Sequence, residues 1–369
     1  MAKSIVSIVK HKDASFAVKK SIELLGGLEG RIEKDARVLI KPNLVYGARY
    51  VTGTTTNPAV LRALVELIQP ITENIALIES NFGIVPIPES PIPIFKEVEK
   101  VFNLPEYDPL KELGVRFLNL EREEQRWLKL TNNKILDKIR IPRDLYEGAT
   151  LVNVPTLKSH GITTVTLGLK NLHGLIPKPP VRRRLHDTIS SVLSDLAELF
   201  SSIFTVIDGS IGMEGPVSCL GAPAESNLII SSGDIVAADS VGTRVMGYDP
   251  NTIDHIVEAA KRGLGNLDDI EVRGETVEKV QRRFNMDVKL PLQIVEKIKE
   301  LGEAEEEDLL ALYPNDPGLV RRYLKAFVMY GPLVHEGKLY RFESKLLEDF
   351  ICRRCLQTGH GFCDGWKQM

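Results

Sequence analysis

From residue 4 to about residue 275 the chain alternates short apolar runs with stretches of helical period. Residues 4–9, 37–40, 75–78, 150–154, 204–207 and 228–231 are short apolar runs rich in β-branched residues, which predicts strands. Residues 14–25 carry apolar positions at helical spacing and stop at Gly26-Gly27, where glycine accepts the left-handed turn of a helix end. Asn57-Pro58 starts a second helix that runs to about residue 68, with asparagine as the cap and proline in the first turn. Further helices are expected over 185–200, 235–246 and 251–261. Residues 115–142 read as a β-rich excursion, and the proline-rich stretch 84–96 reads as a loop or lid. Strands alternating with helices predict an α/β fold, a mainly parallel mixed sheet covered by helices on both faces.

The pattern changes near residue 285. Two helical segments, 305–312 and 316–328, precede a hairpin pattern over 333–342, the outline of a small helix-rich, winged-helix-like region. The expected organisation is an α/β core over 1–285, a helical region over 286–350 and a tail over 351–369. At roughly 150 residues per domain, 369 residues agree with two domains and an appendage. Hydrophobic residues make 43% and charged residues 26%, which excludes a mostly disordered chain. A net charge of -3 excludes a strongly basic nucleic-acid binder while leaving local basic patches open. The acidic block 303–308 also argues against nucleic acid at the C-terminal region, because phosphates repel it. No apolar run approaches the roughly 18 residues of a membrane helix, and residues 1–13 lack the apolar stretch of a signal peptide. The expectation is a cytoplasmic protein with no membrane partner.

Three places put charged or glycine-rich residues just after strands, where open parallel sheets bind ligands. The first holds Lys41 and Asn43, followed by Thr56 and Asn57 at a helix start, whose N–H groups favour an anion. The second runs from Lys158 and His160 through Lys170, Asn171 and Gly174. Between Glu147 and Asp187 six cationic side chains (Lys158, Lys170, Lys178, Arg182, Arg183 and Arg184) meet no acidic one. Such a segment either pairs with acids from elsewhere in the fold or faces an anion. Lys158 and His160 are two apart, so an extended chain points both to one side. Histidine can then move protons while lysine holds a carboxylate or phosphate. His173 and His186 read as ordinary core or cap histidines. The third place is Asp208 and the glycine-rich stretch carrying Glu214, with Glu79 and Asp239 as further acids able to act as ion-pair partners, metal ligands or proton acceptors. The site reading takes His160, Lys158, Lys170, Glu79, Asp208 and Glu214 as catalytic. It assigns Lys41, Asn43, Thr56, Asn171, Gly174 and Asp239 to substrate binding.

Four cysteines are too few for a disulfide scaffold. Three of them join a histidine in Cys352-x2-Cys355-x4-His360-x2-Cys363, a ligand set suited to tetrahedral zinc, with an iron–sulfur cluster as the alternative. Zinc held by four protein ligands would have no open position and would tie down the tail. Dinucleotide-binding, P-loop and nucleophile-elbow motifs are absent, which leaves dehydrogenase, kinase and serine-hydrolase readings without support.

The stretches VLIKPNLV (38–45), TNPAVLRALVELI (56–68), VNVPTLKSHGITTVTLGLKNLHGLIP (152–177), VIDGSIGMEGP (206–216), DIVAADSVGTRVMGYDP (234–250) and GLGN (263–266), in that order, resemble the family of domain of unknown function 362. The resemblance covers about residues 36–275. It implies that Lys41, Asn43, Lys158, His160, Lys170, Asn171, Asp208, Glu214 and Asp239 are site residues, without assigning them roles. Many members carry a ferredoxin-like cysteine run, which implies redox chemistry; that run is missing here, so electrons would have to come from a tail cluster or a ferredoxin-like donor. The functional expectation is an enzyme acting on an anionic small molecule, with a non-catalytic binding or regulatory protein as the alternative.

Overall fold

Successive side chains of the first strand, β1 (Ser4–Lys10), alternate between two cores: Val9 belongs to one, Val6 and Ile8 to the other. The computed structural model describes residues 3–45, 50–82, 95–130, 135–145, 148–200, 203–215, 221–286, 289–330 and 333–342. The next strands are β2 (Val38–Pro42), β3 (Ile75–Glu79) and β4 (Arg116–Asn119), then β5 (Gln125–Lys129) and β6 (Lys138–Pro142). β7 (Thr150–Val154), β8 (Thr156–His160), β9 (Thr164–Val165) and β10 (Ile203–Glu214) follow, then β11 (Ala222–Ala224), β12 (Leu228–Ser232) and β13 (Ile270–Gly274). The main sheet runs β13-β1-β12-β10-β7-β2-β3-β4. Only β12 opposes its neighbours in this path; the remaining pairs are parallel.

Helices Ala14–Leu24 and Pro58–Ile68 cover one face with Val18, Ile22, Val60 and Leu64. Helices Ile189–Leu199, Ile235–Val245 and Asp254–Lys261 cover the other with Val192, Leu196, Val241 and Ile256. The expected α/β architecture is therefore the observed one. Asn57 caps its helix by accepting the Ala59 N–H at 2.9 Å, with Pro58 in the first turn, as the sequence predicts.

Three local readings change. The glycine-rich stretch after Asp208 is no loop but the second half of β10, which pairs with β12, β8 and β11. Its glycines admit close neighbours: a Cβ on Gly212 would lie 2.7 Å from the Leu157 carbonyl oxygen. Residues 163–174, whose Gly168, Asn171 and Gly174 allow turns, contain helix Leu167–Asn171 and a 3-10 turn, Leu172–Leu175. The excursion at 115–142 divides, with β4 joining the sheet edge and β5 pairing with β6 as a separate hairpin. Most of the proline-rich stretch lies outside the described residues.

The C-terminal region follows the order helix Lys289–Leu301, β14 (Glu303–Glu305), helix Glu306–Leu310, helix Pro317–Tyr330, then β15 (Leu333–Glu336) and β16 (Leu339–Phe342). Its strands form an antiparallel sheet ordered β14-β16-β15. The acidic block has a local cause. Glu306, Glu307 and Asp308 fill the first turn of a helix, where negative charge is favoured. Asp308 also accepts the Glu305 N–H at 3.2 Å. Leu319, Tyr323 and Phe327 of the long helix continue the core that contains Val18 and Val60.

Candidate functional site

Pro155 interrupts what would otherwise be one long strand. The chain leaves β7 and continues as β8 beside the second half of β10. This carries residues 156–160 past the carboxyl ends of β2 and β3. From β2 the chain proceeds to β3 on one side, while β7 lies on the other. The strand order thus reverses at β2, where open α/β sheets form ligand crevices. A cleft of about 210 Å³ opens there. β2 and its exit contribute Lys41 and Asn43, β3 contributes Glu79, and β8 contributes Lys158 and His160. Helix Leu167–Asn171 and its following turn add Lys170, Asn171, His173 and Gly174, and helix Pro179–Arg184 adds Arg182. Lys158 and His160 both line the cleft, as their two-residue spacing predicts.

The polar groups form a continuous scaffold. Lys41 Nζ donates to Glu79 Oε2 at 2.6 Å and to the Pro42 carbonyl at 2.8 Å, with both side chains nearly inaccessible. Burial presses the Lys41 pKa down, while Glu79 holds it up. Gly174 packs on this pair: a Cβ there would stand 2.8 Å from Lys41 Nζ and 3.0 Å from Glu79 Oε1. Lys158 Nζ donates to Asn43 Oδ1 at 2.5 Å and to the Thr54 carbonyl at 2.9 Å. Asn43 Nδ2 donates to Asn171 Oδ1 at 3.0 Å, and Asn171 Nδ2 donates to Asn153 Oδ1 at 2.8 Å. Asn153 in turn donates to the Gly168 carbonyl at 2.9 Å. Arg182 donates to Ser80 Oγ and to the Asn81 carbonyl.

Lys170 differs from these cations. It has no hydrogen bond or ion pair among the described residues. Although the residue as a whole is partly exposed, burial of its ammonium, with the nearby Arg182 guanidinium, pushes its pKa down to about 8. His160 Nδ1 accepts the Ile162 and Thr163 N–H groups at 3.2 and 3.3 Å, which assigns the proton of the neutral ring to Nε2. His173 is buried, and its ring meets His186 edge-on at 4.9 Å. Burial holds its pKa well below the ordinary value, and Lys170, His186 and Arg182 push the same way. Its Nε2 has no partner among the described residues. Four cationic side chains therefore line the cleft (Lys41, Lys158, Lys170 and Arg182) against one carboxylate, Glu79. Such a surface attracts a carboxylate or phosphate and stabilises negative charge that develops on it.

The other acids expected at the site stand elsewhere. Asp208 accepts the Asn57 N–H at 2.7 Å and the Ser210 N–H and Oγ at 2.9 and 2.7 Å, which ties β10 to the start of helix Pro58–Ile68. Glu214 accepts Arg282 and Arg322 and the Asn285 N–H, clasping the C-terminal region to β10. Asp239 accepts the Gly168 and Leu169 N–H groups at 2.6 and 2.8 Å. Burial pushes its pKa up to about 8 in spite of those donors. Gly168 permits the contact, since a Cβ would stand 2.7 Å from Asp239 Oδ1. This clamp holds the helix start where Leu167 adopts a left-handed φ of 49°. Thr56 Oγ1 donates to the Val154 carbonyl at 2.8 Å and accepts the Asn43 N–H at 2.8 Å, joining the β2 exit to β7 beneath the cleft. Lys41 has its ammonium engaged by Glu79 and the Pro42 carbonyl and stands in the cleft wall as part of a neutralised pair.

Among the charged and imidazole side chains of the cleft, the sequence reading missed two. Arg182 was only one of a basic run, and helical geometry alone selects it. His173 was read as an ordinary core histidine, and it is buried as such, yet it lines the cleft beside Lys170. Asn153 was also missed, because an asparagine inside an apolar strand carries no spacing signal. Cys352, Cys355, His360 and Cys363 lie outside the described residues.

Comparison with known proteins adds a family. The model of the family described as "Domain of unknown function (DUF362)" matches residues 38–244, a span that includes every described cleft residue. A thylakoid-associated protein of Synechocystis sp. is 27% identical over 256 residues, covering 67% of this chain and 74% of that protein. No solved structure matches the chain. No helix of the described residues is long and apolar enough to cross a membrane.

Proposed function

The chain belongs to the family of domain of unknown function 362, and from the chemistry of its cleft we propose that it is a cytoplasmic enzyme acting on a small anionic molecule, a carboxylate or a phosphate. The observation that carries this reading is the imbalance of four cations against one carboxylate in a single crevice at the strand ends. Lys158, Lys170 and Arg182 hold the anionic group. His160 is the general acid or base, its ring oriented by the two backbone N–H groups that Nδ1 accepts. Glu79 keeps the buried Lys41 charged. Proton transfer or reduction next to a carbonyl suits such a cleft, because each generates an anion that lysine and arginine stabilise. A thermal-shift panel of small carboxylates and inorganic phosphate tests it. Stabilisation by at least one anion, lost in Lys158→Met and Arg182→Met, is the expected result; stabilisation that survives both substitutions places the ligand elsewhere.

Zinc at Cys352, Cys355, His360 and Cys363 belongs to the same proposal on ligand spacing alone. Metal analysis of anaerobically purified protein should give one zinc per chain, lost in Cys355→Ser. Iron with broad visible absorption would replace zinc by a cluster and tie the cleft to redox chemistry and a ferredoxin-like donor. The order helix, strand, helix, helix, hairpin over 289–342 favours a second reading, in which this region binds a partner. That reading gains if no anion stabilises the protein.

A further inference from the structure

Lys41, Lys158 and Arg182 are each fixed by hydrogen bonds to carbonyls, an amide, a hydroxyl or a carboxylate. Lys170 is fixed only through its backbone. Its helix is pinned at the start by Asp239 on Gly168 and Leu169, and at the end by Asn171, whose amide bonds Asn43, Asn153 and the Lys41 carbonyl. The result is a rigidly mounted amine with a side chain committed to no partner, in a wall it shares with His160, His173 and Arg182. A lysine desolvated beside a second cation is the environment that yields a nucleophilic neutral amine. A merely electrostatic lysine gains from a counter-ion; this one has none among the described residues.

We propose that Lys170 captures the carbonyl carbon of a small anionic aldehyde or ketone as an imine, while Lys158 and Arg182 hold the charged end of the same molecule. The inference rests on the anionic-ligand reading and names its substrate class: a short acid with a carbonyl close to its charged group. A cleft of about 210 Å³ suits a molecule of that size. In the first step neutral Lys170 Nζ forms a C–N bond to the carbonyl carbon, the C=O electron pair moves to oxygen, and solvent water relays one of the two nitrogen protons to that oxygen, giving a carbinolamine. The nitrogen lone pair then forms C=N as the C–O bond breaks, and the departing oxygen takes the second nitrogen proton. The two hydrogens of the amine leave with the carbonyl oxygen as water, and nothing is oxidised or reduced. The lowered pKa of Lys170, about 8, leaves a useful fraction of neutral amine near pH 7.5. Arg182, His173 and His255 are the charged or titratable groups coupled to it, and none is an acid.

The test uses the full chain, glyoxylate as the probe and sodium borohydride to reduce any imine, followed by peptide mapping. Pyridoxal 5′-phosphate serves as a second probe for the phosphate class. Glycolate, which lacks the carbonyl, controls for anion binding alone. The expected result is a reduced adduct concentrated on Lys170, suppressed by excess glycolate and absent in Lys170→Arg. Stabilisation by glycolate or glyoxylate without an adduct on Lys170 from either probe overturns the imine and leaves the anion site standing. Adducts spread evenly over surface lysines overturn it as well. If neither probe nor glycolate stabilises the protein and none is trapped, the imine and the anionic-ligand reading fall together.

Discussion

Two sets of buried charge lie within one chain, and they differ in how far they are neutralised. Asp208, Glu214 and Asp239 each sit almost out of reach of solvent, and each accepts N–H or guanidinium hydrogen bonds, although burial still raises the pKa of Asp208 and Asp239. The cations of the cleft are also drawn in from solvent, yet its described lining sets four of them against one carboxylate, with Glu121 acting on Arg182 from outside it. The contrast teaches that burial alone does not mark a functional charge. A buried carboxylate met by donors is a joint between elements; a cluster of cations left with a surplus is a place where a ligand completes the charge.

The largest expected effect is on the joints. Asp239→Ala strips both acceptors from the Gly168 and Leu169 N–H groups in a buried place, at roughly 1–3 kcal/mol for each orphaned donor. Denaturant unfolding should therefore show a loss of about 3 kcal/mol. A loss under about 0.5 kcal/mol would mean that Asp239 is not the clamp it is taken for. Lys158→Met reverses the pattern. Charge-assisted hydrogen bonds contribute about 1.5–3 kcal/mol, so anion affinity measured by calorimetry should fall tenfold or more. If stability falls instead while affinity holds, the cleft behaves like the joints and the comparison collapses.

Gly174→Ala is the intermediate case, since it drives a methyl into the one neutralised pair of the cleft. Its Cβ would stand 2.8 Å from Lys41 Nζ. Overpacking of this kind costs about 1–3 kcal/mol, and an unchanged unfolding midpoint would show that Lys41 and Glu79 can move apart freely.

The smallest effect is the pH dependence. Folding lowers the Lys170 pKa from 10.5 to about 8, so between these values the unfolded chain holds a proton that the native protein has released. Stability of the ligand-free protein should then rise, from this group, as pH climbs from about 8 to 10.5. Anion affinity should weaken a few-fold over the same window as the ammonium is lost. Affinity that is flat between pH 7 and 9.5 by calorimetry would remove Lys170 from the binding set.

Some of this was legible from local pattern. The β1 to β3 strands, the Asn57-Pro58 helix start and the same-side placement of Lys158 and His160 follow from periods of two and 3.6 residues and from cap chemistry. The acids of the third candidate place were not separable from Glu79 by the same means. Asp208 and Glu79 both follow apolar runs of the sequence, yet one meets the N–H of Asn57, 151 residues away, and the other meets Lys41. The glycine-rich stretch after Asp208 reads locally as a loop, and it is a strand because β8, β11 and β12 flank it.

What the sequence by itself determined was therefore the main strands and helices of the sheet, the α/β class and the basic bias of residues 148–186, since each is set by neighbours a few positions apart. Which of those charges stand together was decided only by the tertiary structure. Asn43 reaches Lys158 across 115 residues and Asn171 across 128, and Arg182 reaches Ser80 across 102. Neutralisation is a property of charges within a few ångströms of one another in space, and the chain sets those distances by folding β2, β3 and β8 to a common edge.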